Sequence, residues 1–576
     1  MKKLIIIAGV ILLIVCAGFL YFKKDFLKAP DFKPDSSKAK SILDLGPSII
    51  AKLQQVVKDA SEGLYILSID KLEPDVLASK LDVIDGTISV DTTAMQQLDK
   101  LKILPDDVFN IKFHSLHIDG IGIEDLLHKK NIDISGVFIN DPVIHIYHKA
   151  RSYNKDERKK NDSLTLYQRL MGQMKKIAIT AINIKHGTLL IHDVEQPKRI
   201  TKFNDITVRM NDVLIDSSTQ YDASRFLFAK HAVLETHNYK FPTPDSLYYV
   251  KLGKISLVGE KHEVTVLNAQ LQHRGSRQEF EKKLRSRDEM YDVTLPKVVL
   301  YNVNWWQLLN REKIVSTKTD IYGGIVSVFT DLSLPLGDNK PMNHFPHQLV
   351  MMIPVPVLVP ELNFHQLKVV LQQYNPETKS TGTVTCTNIS GTARHITNMT
   401  GEIRRLPYTS LTAKALFMNK VPMDLRFKFN LAHYRTGQFS VDVKMDTLNK
   451  ITINPIAEPL GRFTVKNGQM QQGAAHMEGD NFNVHGTVEI FYSDLHITPL
   501  KSDSAHGELK KNHLKSFFAN VVFIKNENSQ GKDSRQPEVS VGRDHHQNFV
   551  AYIWTAILTG VCKTIGIPVK LVVKSQ

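Results

Sequence analysis

The stretch "ITAINIKHGTLLIHD", Ile179–Asp193, carries the question on which the fold turns. It reads as a strand, a turn at His186–Gly187 and a second strand. Ile182 and Ile184 point one way, and Asn183 and Lys185 the other. Gly187 is expected to supply the positive φ that a tight hairpin needs. Working outward, the same pattern recurs. "LDVIDGTISVD" from Leu81 reads as strand, Asp85–Gly86 turn, strand. "FNIKFHSLHIDGIGIED" alternates at Ile111, Phe113, Ser115 and His117. "IDISGVFINDPVIHIYH" alternates at Val143, His145 and Tyr147 after Pro142. Few strong helices lie between, so the apolar faces of many hairpins need a cover.

The second half repeats the pattern in "LNFHQLKVVLQQYN", "GTVTCTNISG", "MDLRFKFNLAH", "GQFSVDVKMD", "GRFTVKNGQMQQG" and "NVHGTVEIFYSDLHITPL". No strict sequence period emerges; the pattern repeats and the residues do not. Between the halves, "LPLGDNKPMNHFPHQLVMMIPVPVLVPEL" is dense in proline, which predicts extended or edge chain and no central strand over that span. Short helices are expected after Pro47, where Ile49, Ile50, Leu53, Val56 and Val57 form a stripe, and around Leu166, Leu170, Met171 and Met174. "VNWWQLLNREK" predicts another, and "RGSRQEFEKKLRSRDEMYD" a solvated loop or helix. "NFVAYIWTAILTGVCKTIG" predicts a C-terminal helix packed on protein, with Phe549, Ile553, Ile557 and Val561 in one row.

The chain has 576 residues, of which 42% are hydrophobic, so it is long and apolar enough to fold. A net charge of +14 suits an anionic surface such as lipid headgroups, and equally a merely soluble protein. No helix-turn-helix, zinc-finger spacing or aromatic RNA-binding signature uses that charge, so no nucleic acid partner is expected. Cys16, Cys386 and Cys562 are the three cysteines, and no CxxC is present. "LIIIAGVILLIVCAGFLYF", Leu4–Phe22, is uncharged and approaches the ~20 residues a membrane helix needs. Phe19–Phe22 follow directly where a cleaved signal would carry small residues, so an uncleaved anchor is expected. Lys2 and Lys3 precede it and Lys23, Lys24 and Lys28 follow, so flanking charge does not set its orientation.

The chemistry of an enzyme is missing. There is no G-x-x-x-x-G-K-[ST], no G-x-S-x-G and no H-E-x-x-H. "DGIGIEDLL" lacks the third glycine of a dinucleotide fingerprint. His344 with His347, and His545 with His546, have no cysteine or carboxylate at a supporting spacing, so no metal is expected. Asp119, Glu124 and Asp125 suit a loop and a helix's first turn better than an acid pair. Trp305–Trp306 reads as a buried helix start before a binding shelf. No catalytic residue and no cofactor is expected.

Several phrases resemble a known family. "HQLVMMIPVPVLVPELNFHQLKVVLQQYNPETKSTGTVTCTNISGTARHITN" is similar to the strand–strand–"nIs…iTN" passage of the AsmA-like family, in its Bacteroidota versions. "INPIAEPLGRFTVKNGQMQQGAAHMEGDNFNVHGTVEIFYSDLHI" resembles its "NP…G…G…Y.DL" passage, and "NFVAYIWTAILTGVCKTIG" its closing helix. The second half carries the likeness; the first half shares only the pattern. The resemblance implies an inner-membrane, single-pass anchor with the bulk in the periplasm, a role in outer-membrane lipid homeostasis and a groove-shaped sheet.

The expected fold is therefore mainly β: a long, curled antiparallel sheet forming an open groove, with short connecting helices, an N-terminal transmembrane helix and a C-terminal helix. The alternation alone leaves a closed sandwich open as well. The expected organisation is an anchor over 1–28, a first β-rich region over 29–334, a proline-rich connection over 335–361, a second β-rich region over 362–544 and a helix with its tail over 545–576. Strands stack about 4.8 Å apart, so roughly 20 to 30 of them would extend on the order of 100 Å. The expected partner is phospholipid, held on a wall that includes Ile182, Ile184, Leu189, Ile191, Leu367, Val369 and Leu371. The alternative is a membrane-tethered scaffold that binds an envelope protein through exposed strand edges.

Overall fold

A computed structural model describes residues 50–569 except 121–130, 155–175, 336–343, 500–524, 544–546 and scattered single or paired positions. The expected anchor Leu4–Phe22, the helix around Leu166 and Glu124, Asp125, His545 and His546 lie outside the described residues. Strands dominate, and they belong to one antiparallel-rich sheet. The chain divides into two compact units. Among the described residues, the first runs to Phe241 and includes Leu252–Val266 and Tyr301–Val315. The second comprises Pro242–Lys251, Leu267–Leu300 and the chain from Ser316.

The first stretch of chain supplies β1 (Tyr65–Asp75), β2 (Lys80–Val90), α1 (Thr92–Lys100), β3 (Asp107–Asp119), β4 (Asn131–Asn140), β5 (Val143–His148), β6 (Lys176–Asp193), β7 (Ile200–Asp216) and β8 (Ala229–Pro242). Asp91 opens α1 by accepting from the amides of Thr93 and Ala94. Strands β1, β2 and β3 pair antiparallel in order, as do β6, β7 and β8. Strands β4 and β5 both pair antiparallel with β3 and parallel with β6.

Next come β9 (Tyr248–Val258), β10 (Glu263–His273), α2 (Arg277–Leu284), β11 (Glu289–Tyr301), α3 (Trp305–Arg311), β12 (Ile314–Val315), β13 (Lys318–Tyr322), β14 (Ile325–Asp331) and α4 (Pro346–Met351). The rest is β15 (Val357–Asn375), β16 (Ser380–Thr397), α5 (Thr400–Arg405), β17 (Tyr408–Phe417), β18 (Val421–Asn430), β19 (Phe439–Met445), β20 (Leu448–Asn449), α6 (Lys450–Ile456), β21 (Phe463–Gly479), β22 (Asn483–Pro499), β23 (Glu538–Gly542) and α7 (Phe549–Ile565). Antiparallel pairing runs through β15, β16, β17, β18, β19, β21, β22 and β23.

The opening stretch is not a hairpin. It lies within β6, a single strand of 18 residues that pairs with β7 along its length. His186, not Gly187, takes the left-handed conformation, at φ +54°, opposite Asp205 at φ +48°. The register shifts there, which makes the site a bulge. A bulge also explains the spacing of the apolar residues. Ile182 and Ile184 occupy even positions and Leu189 an odd one, and a regular strand would put them on opposite faces. The extra residue at His186 returns Leu189 to the face of Ile184. Asp85–Gly86 is likewise no turn. Strand β2 passes through it, with Asp85 at φ +51°. Gly86 answers a different demand, since a Cβ there would meet the Phe113 ring at 2.0 Å.

The sheet is not wholly antiparallel. Strands β4 and β5 are one line of backbone whose parallel register with β6 runs from Asn131↔Lys176 to His148↔Asp193. The line is interrupted at Asp141–Pro142, with Asp141 at φ +52°. The Asp141 amide donates to Lys185 O at 3.0 Å, and the Thr188 amide to Pro142 O at 2.7 Å. Strands β13 and β14 repeat this device against β15, from Lys318↔Glu361 to Asp331↔Tyr374, with Gly323–Gly324 at the interruption. The Gly323 amide donates to His365 O at 2.8 Å, and the Lys368 amide to Gly324 O at 2.9 Å. Strand β15 carries a bulge of its own, with Gln366 at φ +55° opposite Asn388 at φ +50°. The two units thus contain the same arrangement in unrelated sequence.

The proline-rich span also differs from expectation. Helix α4 forms inside it, opened by Pro346 in its first turn, and β15 begins at Val357. Pro360 sits in β15 where the pairing with β16 steps from Val359↔Ile396 to Glu361↔Arg394. One missing amide is tolerated because the register continues on both sides of it.

A candidate apolar binding wall

One face of the second unit is apolar strand after strand. On β14 and β11, Val326 faces Val293 and Val328 faces Tyr291. On β14 and β15, Val326 is level with Val369 and Val328 with Leu371. On β15 and β16, Val369 faces Cys386, Leu371 faces Val384 and Leu367 pairs with Ile389. Cys386 continues to Phe417 on β17, and Phe417 to Val421 on β18. Each row follows from the two-residue period of a strand.

Among the described residues, the wall is covered at one side and partly exposed at the other. Helix α7 lies on β18–β23. Asn548 caps it by accepting from the Ala551 amide at 2.7 Å, and Gly566 closes it at φ +91°. Phe549, Tyr552, Ile553 and Ala556 join Phe345, Phe429, Phe439, Met477 and Val488 in one buried cluster. Each large side chain so buried stabilises by about 1.5–3 kcal/mol. A Cβ on Gly560 would meet Val488 at 2.4–2.5 Å, so the helix sits at glycine distance from β22. A second cluster of Ala415, Phe417, Val421, Met423 and Ile456 continues the cover, with Val384, Cys386, Leu460 and Trp554 packed at its margin. Leu460 lies over Gly382, where a Cβ would meet it at 2.4 Å. Beyond that margin, Tyr291, Val293, Leu295, Val326, Leu367, Val369 and Leu371 keep part of their surface exposed.

Polar groups hold the margins. Tyr291 donates its hydroxyl to Glu289, whose other oxygen accepts from Asn548 Nδ2 at 2.8 Å. Strand β11 thereby holds the N-terminus of α7. Burial, and then the Glu289 carboxylate, push the Tyr291 pKa far up, so it stays a donor. On the opposite face, Asp320 accepts from Lys318 at 3.0 Å, Tyr322 at 2.9 Å and Asn363 at 3.1 Å. Burial raises its pKa, but these bonds outweigh it and leave the carboxyl below its ordinary value. Tyr322 stacks on His365 at 4.9 Å. The opposite face thus carries this polar cluster, alongside Ile325, Phe329 and Val370.

The expected wall residues fall into two groups. Ile182, Ile184 and Leu189 of β6 share a face with Val137 and Ile139 of β4 and Val208 and Met210 of β7. Their exposures are 5, 6 and 0%, and Ile191 alone of the four is partly exposed. Leu367, Val369 and Leu371 share the partly exposed face of β15. The sequence reading missed Tyr291, Val293 and Leu295 of β11 and Val326 and Val328 of β14. Alternation in "YDVTL" and "IVSVF" was the available signal.

Other singled-out residues are accounted for by packing. Trp305 is buried and donates Nε1 to Gly259 O at 2.8 Å, while Trp306 is 39% exposed. Asp119 accepts from His117 at 2.8 Å. His344 is exposed, whereas His347 is 2% exposed between the Phe345 and Phe429 rings. Burial drives the His347 pKa down to about 4. Burial likewise pushes the partly buried Cys386 thiol up to about 11 and the buried Cys562 thiol to about 12, which suits an inert core thiol at Cys562. The chain matches no known protein-family description and no curated protein.

Proposed function

We propose that this is an AsmA-like, inner-membrane-anchored periplasmic protein whose wall on β11 and β14–β16 holds phospholipid acyl chains on a path toward the outer membrane. The observation that carries the reading is the apolar row Val293, Val326, Val369 and Leu371, continuous with a covered core yet left partly exposed among the described residues. Each methylene placed there gains about 0.8 kcal/mol relative to water. It gives up a similar amount on leaving a bilayer, so transfer from membrane to wall is nearly balanced. That balance favours passage over tight storage. The Leu4–Phe22 segment would fix the protein at the donor membrane.

The test is lipid analysis of the part released from the membrane. A protease site placed after Lys28 frees residues 29–576 without detergent, and mass spectrometry reads what they carry. Phospholipid in near-equal amount is expected, and a lipid-free product would contradict the reading.

A second reading has one observation in its favour. Among the described residues β1 pairs only with β2, and Ile66 on it is 49% exposed. That edge suits a scaffold that adds a strand from a protein partner. The same release experiment separates the two, since a scaffold would bring down protein and no lipid.

A further inference from the structure

Strand ends gather four segments of the second unit into a platform. Gln348 of α4 is the hub. Its Nε2 donates to Tyr434 O at 2.8 Å and to Asn481 Oδ1 at 3.1 Å. Asn481 Nδ2 donates in turn to Arg435 O at 2.8 Å, and the Arg543 amide to Phe482 O at 2.7 Å. Asn398, just before α5, donates to Ile353 O at 3.0 Å and Val355 O at 2.9 Å. The platform is therefore fixed by polar bonds, of which the one from Gln348 to Asn481 is buried.

What it presents outward is apolar. Leu349 is 49% exposed, Met352 55%, Ile353 37%, Leu406 44% and Phe482 56%. These side chains come from α4 and its exit and from two neighbouring connections, and a buried hub supports them. Arg404, Arg405 and Arg435 stand exposed in the same segments. The acids there are occupied: Glu402 accepts from Arg405 at 2.8 Å, and Asp480 accepts the amides of Phe482 and Asn483 at 2.7 and 2.9 Å. Exposed apolar tips flanked by the exposed guanidinium groups of Arg404 and Arg435, with Arg405 paired to Glu402, match the chemistry of a lipid interface, where side chains enter the acyl boundary and arginines meet phosphate.

We propose that this platform docks on an anionic phospholipid surface, with Met352, Ile353 and Phe482 entering the headgroup layer and Arg404 and Arg435 contacting phosphate. The contact is separate from the apolar wall on β14–β16, and its failure leaves the wall reading untouched.

The test uses the full chain carrying Cys16→Ser, reconstituted in phosphatidylcholine vesicles with about a third phosphatidylglycerol. A polarity-sensitive fluorophore is attached at Met352→Cys or Phe482→Cys, with Lys420→Cys at the exposed turn between β17 and β18 as control. Cys386→Ala is added because Cys386 is only partly buried, whereas Cys562, 2% exposed, stays unlabelled. Blue-shifted emission at 352 and 482, at least halved by brominated lipid, is expected, with no shift at 420. Pure phosphatidylcholine should weaken it, as should Arg404→Glu with Arg435→Glu. No shift at 352 and 482, or an equal shift at 420, overturns the proposal. A shift that brominated lipid does not quench reports a protein contact and overturns it too.

Discussion

Strands β6 and β15 occupy the same place in the same arrangement, yet their apolar rows have different surroundings. Each is long, each carries a left-handed bulge residue, His186 or Gln366, and each lies parallel to an interrupted strand. The row on β6 is closed: Leu189 is 0% exposed. The row on β15 remains partly open at Leu367, Val369 and Leu371. Topology and alternation are shared, so neither decides which row can take a ligand. What decides is the cover beside it, and on β15 that cover stops at Leu460 and Trp554.

The largest effect should come from charging the closed row. Ile184→Asp buries an unpaired carboxylate and is expected to cost about 4 kcal/mol, read by denaturant unfolding. A cost below that of the matching change on β15 would break the comparison.

His347 should come next. Its folded pKa, about 4, lies below the ordinary value of 6.5. The unfolded chain therefore binds the proton first. The stability is fully present above pH 6.5 and is lost as pH falls toward 4, by about 3 kcal/mol. His347→Leu should flatten that window of the pH–stability curve. His117 works in the opposite sense. The hydrogen bond to Asp82 raises its pKa, so its contribution is complete at low pH and fades as pH rises through the raised value.

Two glycines at the interruptions give a finer contrast: Gly324 lies in one, and Gly187 of β6 lies against Pro142 of the other. A Cβ on Gly324 would lie 2.8 Å from Thr294 O, at φ +133°, so Gly324→Ala should cost about 2 kcal/mol. Gly187 has a Cβ vector free to 3.4 Å, and Gly187→Ala should stay within about 0.5 kcal/mol. Thermal melts of the pair would show whether the glycines serve one purpose.

Val369→Asp should hurt folding far less than Ile184→Asp. Water reaches the partly exposed row, so a loss of about 1–2 kcal/mol is expected. The lipid carried by the released protein should nevertheless fall. A folded variant that keeps its full lipid load would remove Val369 from the wall.

Much of the fold was legible in the sequence. Period-two alternation marked most strands, and "NFVAYIWTAILTGVCKTIG" announced a helix that packs on protein, as α7 does. The X-Gly signals misled because a left-handed residue serves a hairpin or a bulge equally well, and only the partner strand distinguishes them. At His186–Gly187 the partner is the length of β7, and at Asp85–Gly86 the partners are β1 and β3. The change from Ile184 to Leu189, even to odd, was the available clue to a bulge. Pro360 misled for the converse reason, since one gap in the pairing is tolerated inside a long strand. The candidate site was half legible. Alternation found Leu367, Val369 and Leu371, but openness depends on what lies across the sheet, which no local pattern records.

Site-specific photocrosslinking tests the central claim most directly. A diazirine analogue of leucine keeps nearly the same shape, so it can replace Leu371 or Leu189 without a charge. Irradiation in intact cells, followed by mass spectrometry, should find phospholipid adducts at 371 and none at 189. Equal labelling at both positions, or no lipid at 371, would contradict an open lipid-bearing wall confined to the second unit.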